Sequence, residues 1–398
     1  MKKLLLGTTA LVGAALVSQA ALADSPKVTV GGYSDFQYGW VSEDKSAGER
    51  NSAFRSDNQI SFKVDGKTDG GLGYGAELWL EADTTAPAQD RGVNASKTFL
   101  YVEGMWGRFE GGSNLGVDQT MKIDASTIAR ATGGIDGDWT YFATQSAMPG
   151  HAYIARPDLP LNYGGHYAFG SGAVLGNEAE ENLNKLSYYT PKWYGFQAGV
   201  SYVIDEINRG QGIVGAVNPS GGLIFGPDRS DQNIGQSQNI FVGALNYSNT
   251  WDQWTFGAAA TGEWGEHQAT GYKNLSAWQG GAKVGYMGFS VAGSYGRWGS
   301  SNMPSGTSSG SHFWTLGGAY EYGPFGVSLT YLDSRFANPN FGGGNTTSRF
   351  DSWSAGADYK LAPGLTPYVE WTHFKEDDTG SVFDNKGNVF LVGSSLNF

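Results

Sequence analysis

The sequence predicts an all-β fold, a closed antiparallel transmembrane β-barrel of sixteen strands. Three observations predict it. Runs of about 8 to 12 residues alternate apolar side chains with small or polar ones. Short and long connections between these runs alternate along the chain. Only 16% of the 398 residues are charged, while 61 are glycine and 14% are aromatic. A soluble protein usually has about 25% charged residues, so the composition favours a membrane protein.

The first 23 residues have the pattern of a signal peptide. Lys2 and Lys3 precede an apolar stretch, Leu4–Val17, and Ala21-Leu22-Ala23 is a typical cleavage site. The apolar stretch is shorter than the roughly 20 residues of a membrane helix. We therefore expect export, cleavage after Ala23 and a mature barrel domain over residues 24–398.

The composition excludes several classes of function. The chain has no cysteine, which excludes disulfides, thiolate metal sites and thiol nucleophiles. Asp and Glu outnumber Lys and Arg by 38 to 26, so the formal net charge is −12. Nucleic-acid partners require basic stretches and are therefore not expected.

The alternation has the period of a strand whose two faces meet different media. In one run Phe256, Ala258, Ala260, Gly262 and Trp264 point one way, and the residues between them are small or polar. The runs match the roughly 9 to 11 residues that a tilted strand needs to cross a bilayer. A soluble sandwich would show the same alternation, but sixteen such strands would make an oversized core.

Short turns joining alternate strands place both chain ends at one rim, as a closed barrel requires. Closure also pairs the edge N–H and C=O groups that lipid cannot satisfy. In chain order, the strands are predicted over residues 27–41, 57–66, 72–83, 97–103, 108–113, 183–190, 195–205, 238–248, 253–264, 276–286, 289–298, 312–322, 325–335, 349–361, 365–376 and 387–398.

The last strand carries a set of outward-facing residues that ends on the C-terminal aromatic. This set, Phe390, Val392, Leu396 and Phe398, resembles the C-terminal signal of bacterial outer-membrane barrels. The resemblance implies recognition by the barrel-assembly machinery.

The whole mature chain resembles the general diffusion porins of Gram-negative outer membranes, most of all the alphaproteobacterial type. The similarity lies in four stretches: Val28–Tyr33, Gly107–Gly112, Lys185–Pro191 and Gly195–Val200. The resemblance implies a 16-stranded homotrimer in the outer membrane, in contact with lipid and lipopolysaccharide. It also implies passive passage of small hydrophilic solutes.

The longest connection, residues 114–182, corresponds to the third loop, which in this family folds into the lumen and constricts it. Its acidic candidates are Asp118, Asp124, Asp136 and Asp138. The glycines of the turn Gly133–Asp138 permit a tight fold that presents the last two carboxylates together. The turn lacks the Pro-Glu-Phe sequence usual at the family's loop tip.

Opposite this loop the family has a basic wall, for which the candidates are Lys63, Lys97 and Arg108. Ser61 and Ser113 stand where related porins often have arginine. Asp35, Glu77 and Glu81 are also expected to face the lumen. A thinned basic wall opposite an acidic loop predicts a mild preference for cations.

The sequence gives weaker support to two alternative functions, a hydrolase and a sugar-selective channel. Gly306–Gly310 fits the G-x-S-x-G pattern of hydrolases, but no helix is expected after it, so we predict no catalytic residue and no enzyme. Aromatic residues in the third loop would suit a sugar-selective channel, and a further hairpin over residues 151–174 would raise the strand count to eighteen. Those aromatic residues are Trp139, Tyr141, Phe142, Tyr153, Tyr163, Tyr167 and Phe169.

No cofactor is expected. Ca²⁺ bridging of paired loop carboxylates, Asp377 with Asp378 or Glu178 with Glu180, is a weaker alternative, since Ca²⁺ takes hard oxygen ligands.

Overall fold

The computed structural model describes residues 25–44, 50–83, 95–143, 155–162, 183–206, 237–339, 345–378 and 384–398. The expected signal peptide lies outside the described residues. The strands are β1 (Lys27–Glu43), β2 (Ser52–Lys67), β3 (Gly73–Glu81), β4 (Ala95–Gly104), β5 (Gly107–Ser113), β6 (Asn184–Tyr189), β7 (Phe196–Asp205), β8 (Ser237–Trp251), β9 (Trp254–His267), β10 (Leu275–Tyr286), β11 (Phe289–Gly299), β12 (Ser311–Tyr322), β13 (Phe325–Pro339), β14 (Asn345–Tyr359), β15 (Leu365–Asp378) and β16 (Asn385–Asn397).

Each strand pairs antiparallel with the next, and β1 pairs with β16, so that the sheet is a closed barrel. Gly32 N–H donates to the Phe398 carbonyl at 3.0 Å, and Phe398 N–H donates to the Gly32 carbonyl at 3.1 Å. The predicted sixteen-stranded barrel is confirmed, and the wall closes without an additional hairpin.

Two strands begin at least four residues earlier than the sequence predicts. β2 begins at Ser52 rather than residue 57, and β14 begins at Asn345 rather than residue 349. The added residues of β2 continue its alternation and place Arg55 toward the lumen, between outward Phe54 and Ser56. Polar residues on both sides of this segment obscured the apolar period there.

The two faces of the wall differ as the alternation predicts. In β16 Phe390 and Val392 are 43% and 46% exposed on the outer face, whereas Val389 and Leu391 are fully buried inside. Leu396 and Phe398 are also exposed on the outer face. The four residues of the expected C-terminal signal therefore share the lipid-facing side, and their recognition by an assembly machinery stays a prediction.

The tight links lie at one rim, where residues with positive φ reverse the chain. Met287 and Gly288, with φ of 48° and 85°, join β10 to β11. Two consecutive residues of positive φ are typical of a type I′ hairpin turn. No helix in the described part of the chain is long and apolar enough to cross a bilayer.

Candidate functional site: a loop inside the barrel

The segment after β5 lies inside the barrel as short helical turns. A five-residue helix, α1 (Val117–Met121), is followed by 3₁₀ turns at Ala125–Ile128, Gly134–Asp136, Asp138–Tyr141 and Pro160–Asn162. These turns contact strands on one side of the wall, from β7 through β16. We call residues 114–143 and 155–162 the lumen loop.

Apolar side chains attach the lumen loop to the wall at two places. Near its start, Val117 and Met121 pack with Leu161 against β7, β8 and β10, through Val203, Ile240, Val242 and Leu275. Near its tip, Trp139 is 2% exposed and stacks on Phe350 and Phe374, with ring centroids 6.0 and 5.5 Å apart. Burial of these side chains stabilises the loop against the wall by the hydrophobic effect.

Wall hydroxyl groups accept hydrogen bonds from loop N–H groups that have no helical partner. The distances are 3.2 Å or less for four pairs: Val117 to Ser201, Ala125 to Thr315, Arg130 to Ser328 and Ile135 to Thr330. Buried backbone groups left without partners are costly. These bonds therefore hold the loop backbone at a defined height in the barrel.

Wall carboxylates complete the attachment. Glu370 accepts from the Thr132 and Gly134 N–H groups at 3.1 and 3.2 Å and from Thr132 Oγ1 at 2.8 Å. Arg130 binds Asp358 at 2.9 Å and Glu321 at 2.5 Å. Charge-assisted hydrogen bonds of this kind are about twice as strong as neutral ones.

Glycines on the inner face of the wall leave room for the loop backbone. At Gly281 of β10 an added Cβ would overlap the carbonyl group of Ile123. At Gly356 it would lie 2.7 Å from the Arg130 carbonyl oxygen, which is also too close. The close approach of loop and wall therefore depends on the absence of side chains at these positions.

Asp136 belongs to a cluster of loop charges. Its carboxylate lies 3.4 Å from Arg156 Nη1 and 3.7 Å from Lys122 Nζ, and Lys122 also binds Asp158. Burial and the Asp158 charge raise the pKa of Asp136 to about 6. Burial acts to lower the pKa of Lys122, yet the surrounding carboxylates, Asp158 foremost, raise it well above its ordinary value.

Asp138, in contrast, contacts residues of β1 and β2. Gln37 Nε2 of β1 donates to its carboxylate at 2.6 Å, and Arg55 Nη1 of β2 lies at 3.2 Å. The Arg55 guanidinium group also lies 4.0 Å from the centre of the Tyr141 ring. Burial raises the pKa of Asp138, although Gln37 and Arg55 act to lower it.

The other two acidic candidates of the lumen loop are buried. Asp118 is 2% exposed and accepts from Asn162 Nδ2 at 2.8 Å. Asp124 is fully buried, accepts from the Ser126 N–H at 2.7 Å and so caps a 3₁₀ turn. Asp136 and Asp138 are about one-fifth to one-quarter exposed. The constriction role of all four stays a prediction.

The basic candidates face the lumen from β2, β4 and β5, each beside a carboxylate or an aromatic ring. Lys63 lies 3.3 Å from Asp65 and 4.0 Å from Glu77. Lys97 Nζ lies 5.0 Å from the centre of the Trp79 ring. Arg108 Nε donates to Glu110 at 2.6 Å.

Asp35 and Glu81 share this lumen-facing side. Asp35 accepts from the Tyr368 hydroxyl at 2.7 Å, and Glu81 accepts from Gln59 Nε2 at 2.5 Å. Glu77 is opposite Lys63 in the register of β2 and β3.

Two residues of the site were missed in the sequence analysis. Arg55 was assigned to a loop, although extending the alternation of Gln59, Ser61 and Lys63 backwards by two steps finds it. Glu370 lies between outward Val369 and Trp371, so its lumen position is readable from the sequence. Its loop partners are not, because they lie more than 200 residues away.

The residues considered for cation binding are only partly described. Asp377 pairs with Lys375 at 2.5 Å, while Glu178 and Glu180 lie outside the described residues. Asp57, Glu81 and Asp83 have carboxylate oxygens within 4.8 Å of one another. Arg55 binds Asp57 at 2.6 Å, and Asn58 donates to Asp83 at 2.8 Å, so protein groups already contact this trio. The expectation of no cofactor stays a prediction.

The residues behind the alternative functions lie apart from a common site. Gly306–Gly310 lies in the connection between β11 and β12, where no helix follows it. Trp139 is buried against the wall, whereas Tyr141 is exposed. Tyr153, Tyr163, Tyr167 and Phe169 lie outside the described residues. The expectation that the chain is not an enzyme stays a prediction.

Comparisons with known proteins agree with this architecture. A family model described as Gram-negative porin matches residues 7–379. An uncharacterized protein of Rickettsia bellii is 26% identical over 458 aligned positions, and one of Rickettsia typhi is 24% identical, each covering 100% of both chains. A triple mutant of the Rhodopseudomonas blastica porin matches with a TM-score of 0.58 at 16% identity, over 94% of this chain and 100% of that chain. A further mutant of that porin matches over the same shares with a TM-score of 0.53 at 18% identity.

Proposed function

Because this chain belongs to the Gram-negative porin family, we propose that it forms a water-filled outer-membrane channel through which small hydrophilic solutes diffuse passively, with a mild preference for cations. The observation that carries the proposal is the position of the lumen loop. The loop packs mainly on the β7–β16 side and its tip reaches β1 and β2 through Asp138, so the wall formed by β1–β6 faces the rest of the loop across the remaining lumen. Sixteen strands enclose a lumen too wide for side chains to fill, so water occupies the space between them.

The charges along this path support the preference for cations. Carboxylates outnumber cationic groups at the lumen-facing positions of β1–β5. The carboxylates are Asp35, Glu43, Asp57, Asp65, Glu77, Glu81, Glu103 and Glu110, and the cationic groups are Lys27, Arg55, Lys63, Lys67, Lys97 and Arg108. Pore-lining rings of carboxylates favour cations.

The proposal includes assembly as a homotrimer. On the outer face of β1 and β2, Ser34 Oγ donates to Asn58 Oδ1 at 2.5 Å, and Ser56 shares this face. Polar groups there are unfavourable against lipid and suit a contact between subunits. Outer-membrane lipid, lipopolysaccharide and the barrel-assembly machinery complete the proposed partners.

Removal of the two partly exposed loop carboxylates tests the proposed selectivity. In asymmetric KCl, the Asp136→Asn, Asp138→Asn variant should show a smaller preference for K⁺ than the parent protein. A unit charge about 8 Å from an ion in water contributes about 0.5 kcal/mol, so each carboxylate should change the permeability ratio about two-fold. The measurement is the reversal potential in a planar bilayer, and insertion in triplet conductance steps tests the trimer in the same records.

Two controls separate the pore charge from a change in folding. Asp118→Asn removes a buried carboxylate of the lumen loop, so this variant should have the same reversal potential as the parent protein. Because the pKa of Asp136 is raised to about 6, lowering the bath from about pH 8 to about pH 5 should protonate it and reduce the parent's preference for K⁺. The single variant Asp136→Asn should lose part of this pH effect, because burial also raises the pKa of Asp138. An unchanged reversal potential in the double variant would remove Asp136 and Asp138 from the selectivity filter.

A further inference from the structure

The half of the lumen near the short turns contains a cavity of about 730 Å³. It lies against β2–β7 near the strand ends that the short turns join, and Asn114 and Thr120 of the lumen loop close its other side. Small-molecule sites have volumes of about 300 to 1,000 Å³, so the cavity is large enough for a bound solute. It also lies on the proposed conduction path, where every passing solute meets it.

The centre of the cavity wall is a compensated charge network around Arg108. Arg108 Nε donates to Glu110 at 2.6 Å, and Arg108 Nη1 donates to Glu103 at 3.1 Å. The guanidinium group lies 3.9 Å from the centre of the Tyr101 ring. Asn114 Nδ2 donates to the second Glu110 oxygen at 2.7 Å, which fixes that carboxylate between two donors.

The carboxylate beside this network is also compensated. Asp65 accepts from the Tyr101 hydroxyl and lies 3.3 Å from Lys63 Nζ. An ion entering the cavity would compete with these internal pairs. A neutral hydroxyl group both donates and accepts, so it joins a carboxylate or a guanidinium group without separating the pair.

Neutral polar groups surround the network. The hydroxyl oxygens of Thr120 and Tyr189 are 3.1 Å apart on the loop side, and Gln197 Nε2 donates to the Thr190 carbonyl at 3.0 Å. The cavity therefore combines hydroxyl, amide, carboxylate and guanidinium groups on a rigid wall. Such a surface matches a ligand with many hydroxyl groups better than a ligand with net charge.

We propose that this cavity is a weak binding subsite for neutral polyhydroxylated solutes, the class that includes monosaccharides and disaccharides. The inference rests on the proposed function, since solutes reach the cavity through an open channel. A weak site in the path holds the solute transiently and lowers the ion current while it is occupied.

Maltose is the probe for the test. Single-channel current is recorded in KCl while maltose is added to the side of the bilayer that the short turns face. The current should fall to a plateau, with half of the effect at a concentration on the order of 10 mM. Glu110→Gln should raise this concentration at least about five-fold, because it removes the charge that fixes Arg108. Glu103→Gln, at an exposed carboxylate, is the second variant if Glu110→Gln does not fold.

Glu81→Gln is the matched control, since it removes a lumen carboxylate at the end of β3 away from the short turns, outside the cavity. Its half-blocking concentration should equal that of the parent protein. Ion conductance without saturable block by maltose would overturn the subsite and leave the channel function standing. Equal block in the parent and Glu110→Gln proteins would overturn its location at Arg108. Absence of any ion conductance in the parent protein would contradict the proposed channel itself.

Discussion

Replacement of Trp139 by alanine is expected to release the tip of the lumen loop. The Trp139 ring is buried between Phe350 and Phe374 on the wall. Truncation of a buried tryptophan costs about 3 to 5 kcal/mol. Since about 1.4 kcal/mol corresponds to a ten-fold change in an equilibrium, local opening of the loop should become about a hundred-fold to several thousand-fold more frequent. The barrel, which is closed by strand pairing alone, should remain folded.

Hydrogen exchange followed by mass spectrometry measures this opening. Peptides covering Gly134 and Ile135, whose N–H groups bind Glu370 and Thr330, should lose most of their protection. The single-channel current should become larger and noisier. Trp353→Ala is the matched control, because Trp353 is exposed on the outer face of β14, where its ring is tilted against that of Tyr331 with centroids 4.4 Å apart. Equal loss of loop protection in both variants would contradict the anchoring role of Trp139.

Replacement of Gly281 by valine is expected to push the loop away from β10. Even the first added carbon atom would overlap the Ile123 carbonyl group. Pairing with β9 and β11 holds Gly281 on both sides, so the loop rather than the wall must move. Overpacking of this kind costs about 1 to 3 kcal/mol. A displaced loop lies closer to the β1–β6 wall, so the single-channel conductance should fall.

The neighbouring Gly280 provides the comparison. It points to the outer face, and a Cβ added there would lie 3.8 Å from the Ala259 carbonyl oxygen, which is an ordinary van der Waals distance. Gly280→Val should therefore keep the conductance and the hydrogen-exchange protection of the parent. A Gly281→Val protein with unchanged conductance and protection would show that the loop does not rest on β10.

The strands of the wall could be predicted from the sequence because each strand alternates apolar residues on its outer face with small or polar residues on its inner face. Phe256 and Trp264 are separated by whole multiples of the strand period, and the same period leads from Phe390 to Phe398. The beginning of β2 was missed because Ser56 and Asn58 are polar on the outer face, where apolar residues mark the other strands. Subunit contact at this face, as proposed above, accounts for that departure from the pattern.

The interior of the site could be predicted only as a set of candidate charges. The four acidic candidates are all aspartates of the lumen loop, Asp118, Asp124, Asp136 and Asp138. The first two are nevertheless buried. The difference arises from contacts with distant strands, such as Asp138 with Gln37 and Arg55. The two-residue alternation along a strand carries no information about such contacts. The same limit applies to Trp139, which the sequence suggested as part of an aromatic path for sugars and which packs instead on the wall.

Thiol labelling of single-cysteine variants distinguishes the open side of the lumen from the side that the loop covers. Because the chain has no cysteine of its own, only the introduced thiol reacts. Ser61 of β2 faces the lumen opposite Trp79, whereas Ser354 of β14 is fully buried. A sulfonate-bearing methanethiosulfonate reagent should lower the bilayer conductance of the Ser61→Cys protein and leave the Ser354→Cys protein unchanged. Rapid block of Ser354→Cys, with no effect on Ser61→Cys, would contradict a conduction path between the lumen loop and β1–β6.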